Sequence, residues 1–141
     1  MITYNSSPIL VVDDDPDFCD IYMRILEKHG YRVLCFSNAG EALKKMIEEK
    51  PCLVITDLMM NSLDSGFSLA HTMREDMRLK NIPIIIVTAI GEKRGLDFTP
   101  RSNEDLKAMC ADAFLEKPVL PHTLLATVED LLCRTTEEAA E

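Results

Sequence analysis

ILVVDDDPDF, residues 9–18, decides how the rest of the chain is read. Ile9 to Val12 form an unbroken apolar run, the pattern of a strand covered on both faces. The run ends in Asp13-Asp14-Asp15, and a helix starts at once. Asp15 is a good N-cap, Pro16 suits the first helical position, and Asp17 favours the positive end of the helix dipole. Phe18, Ile21, Tyr22, Ile25 and Leu26 then fall at helical spacing, and Gly30 supplies the stop.

The same alternation continues downstream. Tyr31 to Phe36 reads as a second strand, followed by a helix capped by Ser37 or Asn38 with Ala42, Leu43, Met46 and Ile47 as its apolar stripe. Leu53 to Thr56 is a third strand that delivers Asp57 at its carboxyl end. A loop from Met59 to Gly66 leads into a third helix that turns Phe67, Leu69, Ala70 and Met73 inward. Ile84 to Thr88, β-branched and apolar, suits a central parallel strand. Gly91 to Cys110 is expected to be a long loop with a modest helix opening near Ser102 to Asp105. Ala113 to Glu116 is a short fifth strand, and Pro121 opens a last helix faced by Leu124, Leu125, Val128, Leu131 and Leu132. Five strands alternating with helices predict an α/β fold, a parallel sheet with helices on both faces.

The 141 residues suit one domain over residues 1–141, with a core over about 8–133 and an acidic, frayed tail over 134–141. A composition of 47% hydrophobic and 28% charged residues is that of a globular protein, which argues against disorder over the whole length. The longest apolar stretch, Ile82 to Ile90, is broken by Pro83 and Thr88, so no membrane span is expected, and Met1 to Pro8 lacks the regions of a signal peptide. A formal net charge of −9 would repel a phosphate backbone, which excludes nucleic acid as a partner. The five cysteines are odd in number and include no C-x-x-C pair, so disulfide, zinc and thioredoxin-like readings fall and the expected compartment is the cytoplasm.

In an open parallel sheet, ligands bind beyond the carboxyl ends of the strands. Those ends present Asp13 and Asp14, Asp57, Thr88, and Lys117 followed by Pro118. Two carboxylates 4 Å apart repel by about 4 kcal/mol at an effective dielectric of 20, so such a cluster persists only when neutralised. A hard divalent cation, Mg²⁺ or Mn²⁺, is the natural partner, and Lys117 adds a positive charge. The chemistry that follows is phosphoryl transfer to a carboxylate. Asp57 is the candidate acceptor, and Thr88 and Lys117 would bind oxygens of the transferring group. His29, His71 and His122 lie in or beside helices and read as surface residues.

These segments also carry a family resemblance. With ILVVDDDPDF at the start, LVITDLMM at residues 53–60, PIIIVTA at 83–89 and ADAFLEKPV at 111–119, the chain resembles the receiver domain of two-component response regulators from about Ile9 to Leu132. The resemblance implies a flavodoxin-like, doubly wound sheet of order 2-1-3-4-5. It implies Asp57 as phosphoacceptor, Asp14 as direct and Asp13 as water-mediated Mg²⁺ ligand, and the Met59 carbonyl as a further ligand. Thr88 matches the switch hydroxyl, Phe114 the aromatic rotamer switch, and Lys117 the phosphate-binding lysine, with a cis Lys117–Pro118 bond. Asp15 has no site role in the family, and Phe114 read without it is a core aromatic.

The pattern departs from the family at Asn61, where proline is common, and at Ser65, which lengthens the acceptor loop by one residue; Gly91 to Arg101 is also longer than usual. The implied function is a stand-alone phosphoacceptor rather than an enzyme, phosphorylated by a sensor histidine kinase or phosphotransfer protein and acting on an unknown downstream protein. A relay intermediate or phosphate sink is the alternative. A flavin-binding reading fails because carboxylates stand where a phosphate loop is needed, and a phosphatase reading because Asp57-Leu58-Met59 lacks a second aspartate.

Overall fold

Strand β1 (Ile9–Val12) is paired on both sides, with β2 (Val33–Phe36) and β3 (Leu53–Asp57), and β3 leads on to β4 (Ile84–Thr88) and β5 (Ala113–Glu116). The computed structural model describes the backbone of residues 7–57, 65–88 and 110–140, and the side chains of all of these except 65–67, 88 and 134–140. All four pairings are parallel, in the order β2-β1-β3-β4-β5, as expected. Val12 sits opposite both Phe36 and Thr56, and Asp57 opposite Val87, so the strand ends are level along one edge.

The period of two in a strand divides the apolar runs between two cores. Ile9, Val11, Leu53, Ile55, Ile85 and Val87 face α1 (Pro16–Lys28) and α4 (Pro121–Ala140), packing with Tyr22, Leu26, Leu124 and Val128. Leu10, Val12, Val54, Ile84 and Ile86 face α2 (Ala39–Glu48) and α3 (Ser65–Glu75), packing with Ala42, Met46, Leu69 and Met73. This two-sided burial explains why the strands read as unbroken apolar runs. Each fully buried Leu or Ile contributes about 1.5–3 kcal/mol.

Local chemistry sets the helix ends. The Asp15 carboxylate accepts the Asp17 N–H at 2.9 Å, with Pro16 opening α1. Gly30 ends α1 at φ +90°, a conformation that costs glycine nothing, and its N–H donates to the Glu27 carbonyl at 3.0 Å. Of the two expected caps for α2, Asn38 serves: its side chain accepts the Glu41 N–H at 2.9 Å.

Several expectations need correction. Strand β2 begins at Val33, not Tyr31, although Tyr31 is buried. Ile21 and Ile47 are 45% and 51% exposed, because each helix lays only a narrow stripe on the sheet and these two residues fall at its outer edge. Helix α3 starts at Ser65, inside the expected loop. Helix α4 continues to Ala140 through the tail expected to fray, in keeping with the helix propensity of its Glu and Ala residues. The helix expected within Gly91 to Cys110 falls on residues outside those described, up to Cys110 itself.

Burial also predicts a pH response. The half-buried Cys35 and Cys52 thiols are pushed up from an ordinary 9.0 to about 12 and about 11, chiefly by desolvation. Burial raises the Tyr22 phenol as well, with Asp13 and Asp57 adding to the effect. All three groups keep their protons in the folded chain at a pH where the unfolded chain releases them. Their contribution is therefore fully present below about pH 9 and lost as pH rises through the folded values. Urea unfolding is expected to show a loss of at least about 2 kcal/mol between about pH 8.5 and pH 11. Cys52→Ala should flatten that fall, and a level profile in the parent chain would contradict this reading.

Candidate functional site

The level strand ends bring three expected residues into contact. Asp13 follows β1, Asp57 closes β3 and Lys117 follows β5. The Lys117 ammonium donates to Asp13 Oδ2 and to Asp57 Oδ2, each at 3.1 Å. Asp13 and Asp57 are only 2% and 8% exposed, whereas Asp14 is exposed. Asp13 is held further by the Asp15 N–H, which donates to its Oδ1 at 2.9 Å, and by its own N–H, which donates to the Phe36 carbonyl at 3.0 Å. The Lys117–Pro118 bond is cis.

One carboxylate oxygen each from Asp13, Asp14 and Asp57 lies within 4.8 Å of the other two. Hard oxygen donors at this spacing fit a divalent cation, and among the described residues one ammonium, that of Lys117, faces the three carboxylates. Burial raises the Asp13 carboxyl above its usual range, although the Asp15 N–H and Lys117 pull it down. Burial alone would lower Lys117; Asp57 and Asp13 together outweigh it and raise the ammonium. Ionised Asp13 thus carries a cost that a bound cation would relieve.

A cleft of ≈ 550 Å³ opens beside the cluster, between α1 and the end of β2, with Asp13, Asp14 and Asp20 on its wall. Phe114 is half-buried and packs against the core on the α2 and α3 face. The Thr88 backbone ends β4 opposite Glu116, but its side chain, like the whole of Met59, lies outside the described residues.

Three contributors escape a reading by periodicity. Phe18, which looks like part of the α1 stripe, lies with its ring centroid 3.8 Å from Lys117 Nζ, a cation–π contact that helps fix the ammonium. The Cys19 thiol donates to the Asp13 carbonyl at 3.3 Å. The buried Thr56 hydroxyl donates to the Asp57 carbonyl at 3.1 Å. The Phe18 contact is hidden from the local sequence because only the fold brings Lys117 near, whereas Cys19 and Thr56 act on groups close along the chain that periodicity does not mark.

An open, all-parallel sheet with an acidic, lysine-bridged pocket at its carboxyl edge defines a class of phosphoryl-accepting signalling domain. The response regulator receiver domain family matches residues 9–129, and the chain belongs to that family. Protein PilH of Pseudomonas aeruginosa is 34% identical over 124 residues, covering 88% of this chain and 96% of PilH. Response regulator Rre1 of Synechocystis is 35% identical over 127 residues, covering 89% of this chain but 52% of Rre1, so the chain spans about half the length of that relative. Among solved structures, a CheY-like receiver domain protein of Methanospirillum hungatei superposes with a TM-score of 0.77 at 27% identity, covering 94% of this chain and 98% of the other. TrrA of Thermotoga maritima, solved in complex with Mg²⁺ and BeF, gives a TM-score of 0.71 at 30% identity, covering 89% and 98%.

The chain is therefore a receiver domain of two-component signalling, a family that binds Mg²⁺ at an acidic pocket and interacts with histidine kinases or phosphotransfer proteins. Among the described residues no helix is long and apolar enough to cross a membrane.

Proposed function

We propose that Asp57 accepts a phosphoryl group from a phosphohistidine on a sensor kinase or phosphotransfer protein, with Mg²⁺ or Mn²⁺ held by Asp13, Asp14, Asp57 and the Met59 carbonyl. The observation that carries this reading is the Lys117 ammonium shared at 3.1 Å between Asp13 and Asp57. In the transfer the donor's P–N bond breaks and a P–O bond forms to an Asp57 carboxylate oxygen. Bound in the acidic pocket, the cation supplies charge neutralisation for the oxygens of the transferring group. Asp13 and Asp14 provide oxygen donors for it, and Lys117, pinned by the Phe18 ring, brings a second positive charge into reach of Asp57. No step turns over a substrate, and the chain acts as a phosphoacceptor rather than an enzyme.

Thr88 at the end of β4 and Phe114 on β5 are the proposed switch, coupling occupancy of Asp57 to a surface that binds a downstream protein. They sit in adjacent, paired strands, with Ile86 opposite Phe114 and Thr88 opposite Glu116. The test is affinity capture from lysate with and without beryllofluoride and Mg²⁺, together with transfer of label from the phosphorylated chain to a histidine phosphotransfer protein. A protein captured only in the beryllofluoride arm supports the switch. Rapid loss of label to the second protein, with unchanged capture, supports the relay and overturns the switch.

A further inference from the structure

At the opposite end of the sheet from Asp57, the chain entering β5 meets the last turns of α3. Cys110 lies there three residues before Ala113, and its Sγ is 4.0 Å from Nδ1 of His71. The other ring nitrogen, Nε2, is 3.0 Å from the Glu75 carboxylate, one helical turn on. An ionised carboxylate only accepts hydrogen bonds, so Nε2 carries the proton of the neutral ring and Nδ1 presents its lone pair to the thiol. A nucleophile, a base and a group that orients the base thus stand in line. None of the three takes part in the acidic pocket.

The anchoring around the trio is firm. Arg74 donates to the Asp112 carboxylate at 2.6 Å and to the Ile82 carbonyl at 2.7 Å, while the Asp112 N–H donates to the Ile84 carbonyl at 2.8 Å. Cys110 adopts φ +62°, a region that L side chains rarely enter, so the turn into β5 rather than its own preference sets where Sγ lies. Cys110 is half-buried, and the His71 and Glu75 side chains are exposed, so a small reagent has access. Among the described residues, Glu75 on α3 pairs with His71, while Arg74 on α3 and Asp112 on the β5 side pair with each other.

We propose that Cys110 is a modification site for thiol–disulfide exchange, taking low-molecular-weight disulfides, with His71 as its base and Glu75 as the residue that positions the base. His71 Nδ1 takes the Sγ proton, and the thiolate attacks one sulfur of the incoming disulfide. A Cys110–S bond forms, the reagent's S–S bond breaks, and the departing thiolate takes the proton back from the imidazolium. The incoming disulfide is the oxidant, and one free thiol is released for each mixed disulfide formed. The Cys35 and Cys52 thiols, half-buried like Cys110 but pushed up to about 12 and about 11, are poor competitors.

The experiment treats the full chain, under native conditions near neutral pH, with oxidised glutathione and follows each cysteine by peptide mass mapping. Cys133 is exposed and serves as the internal comparator, since access alone would favour it over half-buried Cys110. Cys110 is expected to react about tenfold faster than Cys133, since the roughly 100-fold or greater gain of a positioned base is offset in part by the poorer access to a half-buried thiol. His71→Ala should remove that advantage without altering Cys133, imidazole added to the buffer should restore part of it, and Glu75→Gln should cause a smaller loss. Equal rates at Cys110 and Cys133, an unchanged Cys110 rate in His71→Ala, or no recovery with imidazole would overturn the proposal.

Discussion

Lys117→Met is expected to lose about 3 kcal/mol of folding stability at pH 7 in metal-free buffer. The lysine side chain is 9% exposed and those of its partners Asp13 and Asp57 are 1% and 9% exposed, so removing it takes from two buried carboxylates the ammonium they share. The loss has an upper bound. Instead of bearing the full repulsion, one carboxylate will take a proton, which costs about 4 kcal/mol at pH 7 for an ordinary pKa near 3.9. Asp13, already raised by burial, is the cheaper of the two to protonate. The same argument predicts that the deficit shrinks to about 1 kcal/mol at pH 5. Saturating Mg²⁺ should recover more stability in the variant than it adds to the parent, for which a concentration 100 times Kd is worth about 2.7 kcal/mol. Urea unfolding at both pH values, with Mg²⁺ and with chelator, checks all of this. Parent-like stability of the variant in chelator at pH 7 would mean the carboxylates are not crowded.

The parts of this molecule that were legible in the sequence are those specified by neighbours along the chain. The bounds of β5 at Ala113–Glu116 and the start of α4 at Pro121 follow from a short apolar run and an N-terminal proline, and both match the structure. The run Ile84–Thr88 and the cap at Asp15 are local in the same way. Strand order is not local: alternation implies a parallel sheet, while the order rested on family resemblance. The placement of Ile21 and Ile47 failed because helical spacing says which residues share a side, not how much of that side the sheet covers.

The site was legible to the extent that strand ends must converge, which brought together Asp13 and Lys117, 104 positions apart. The Phe18 ring under Lys117, and Cys110 against His71 at 39 positions' separation, were hidden because no periodicity links such partners. His71 read as a plain surface residue for that reason; its exposure is as expected, but its neighbour is not.

On the proposed function Asp57 carries the largest expected functional effect, because uptake of a phosphoryl group there would be all or none. Its backbone is fixed by pairing with β4 and by the Thr56 hydroxyl on its carbonyl, and its side chain lies in the pocket with Lys117 and the other two carboxylates. Asp13, deeper and already bound to Lys117 and the Asp15 N–H, serves better as a donor to the cation than as an acceptor. Removing the Asp57 carboxylate is therefore expected to abolish uptake, and removing the cation to leave the pocket's negative charge to repel the donor.

The most direct test is intact mass after incubation with acetyl phosphate, on the parent chain with Mg²⁺, the parent chain with chelator, and Asp57→Ala with Mg²⁺. The account predicts one added phosphoryl group in the first sample and none in the other two. An equal gain in Asp57→Ala, or a gain that persists in chelator, would contradict it.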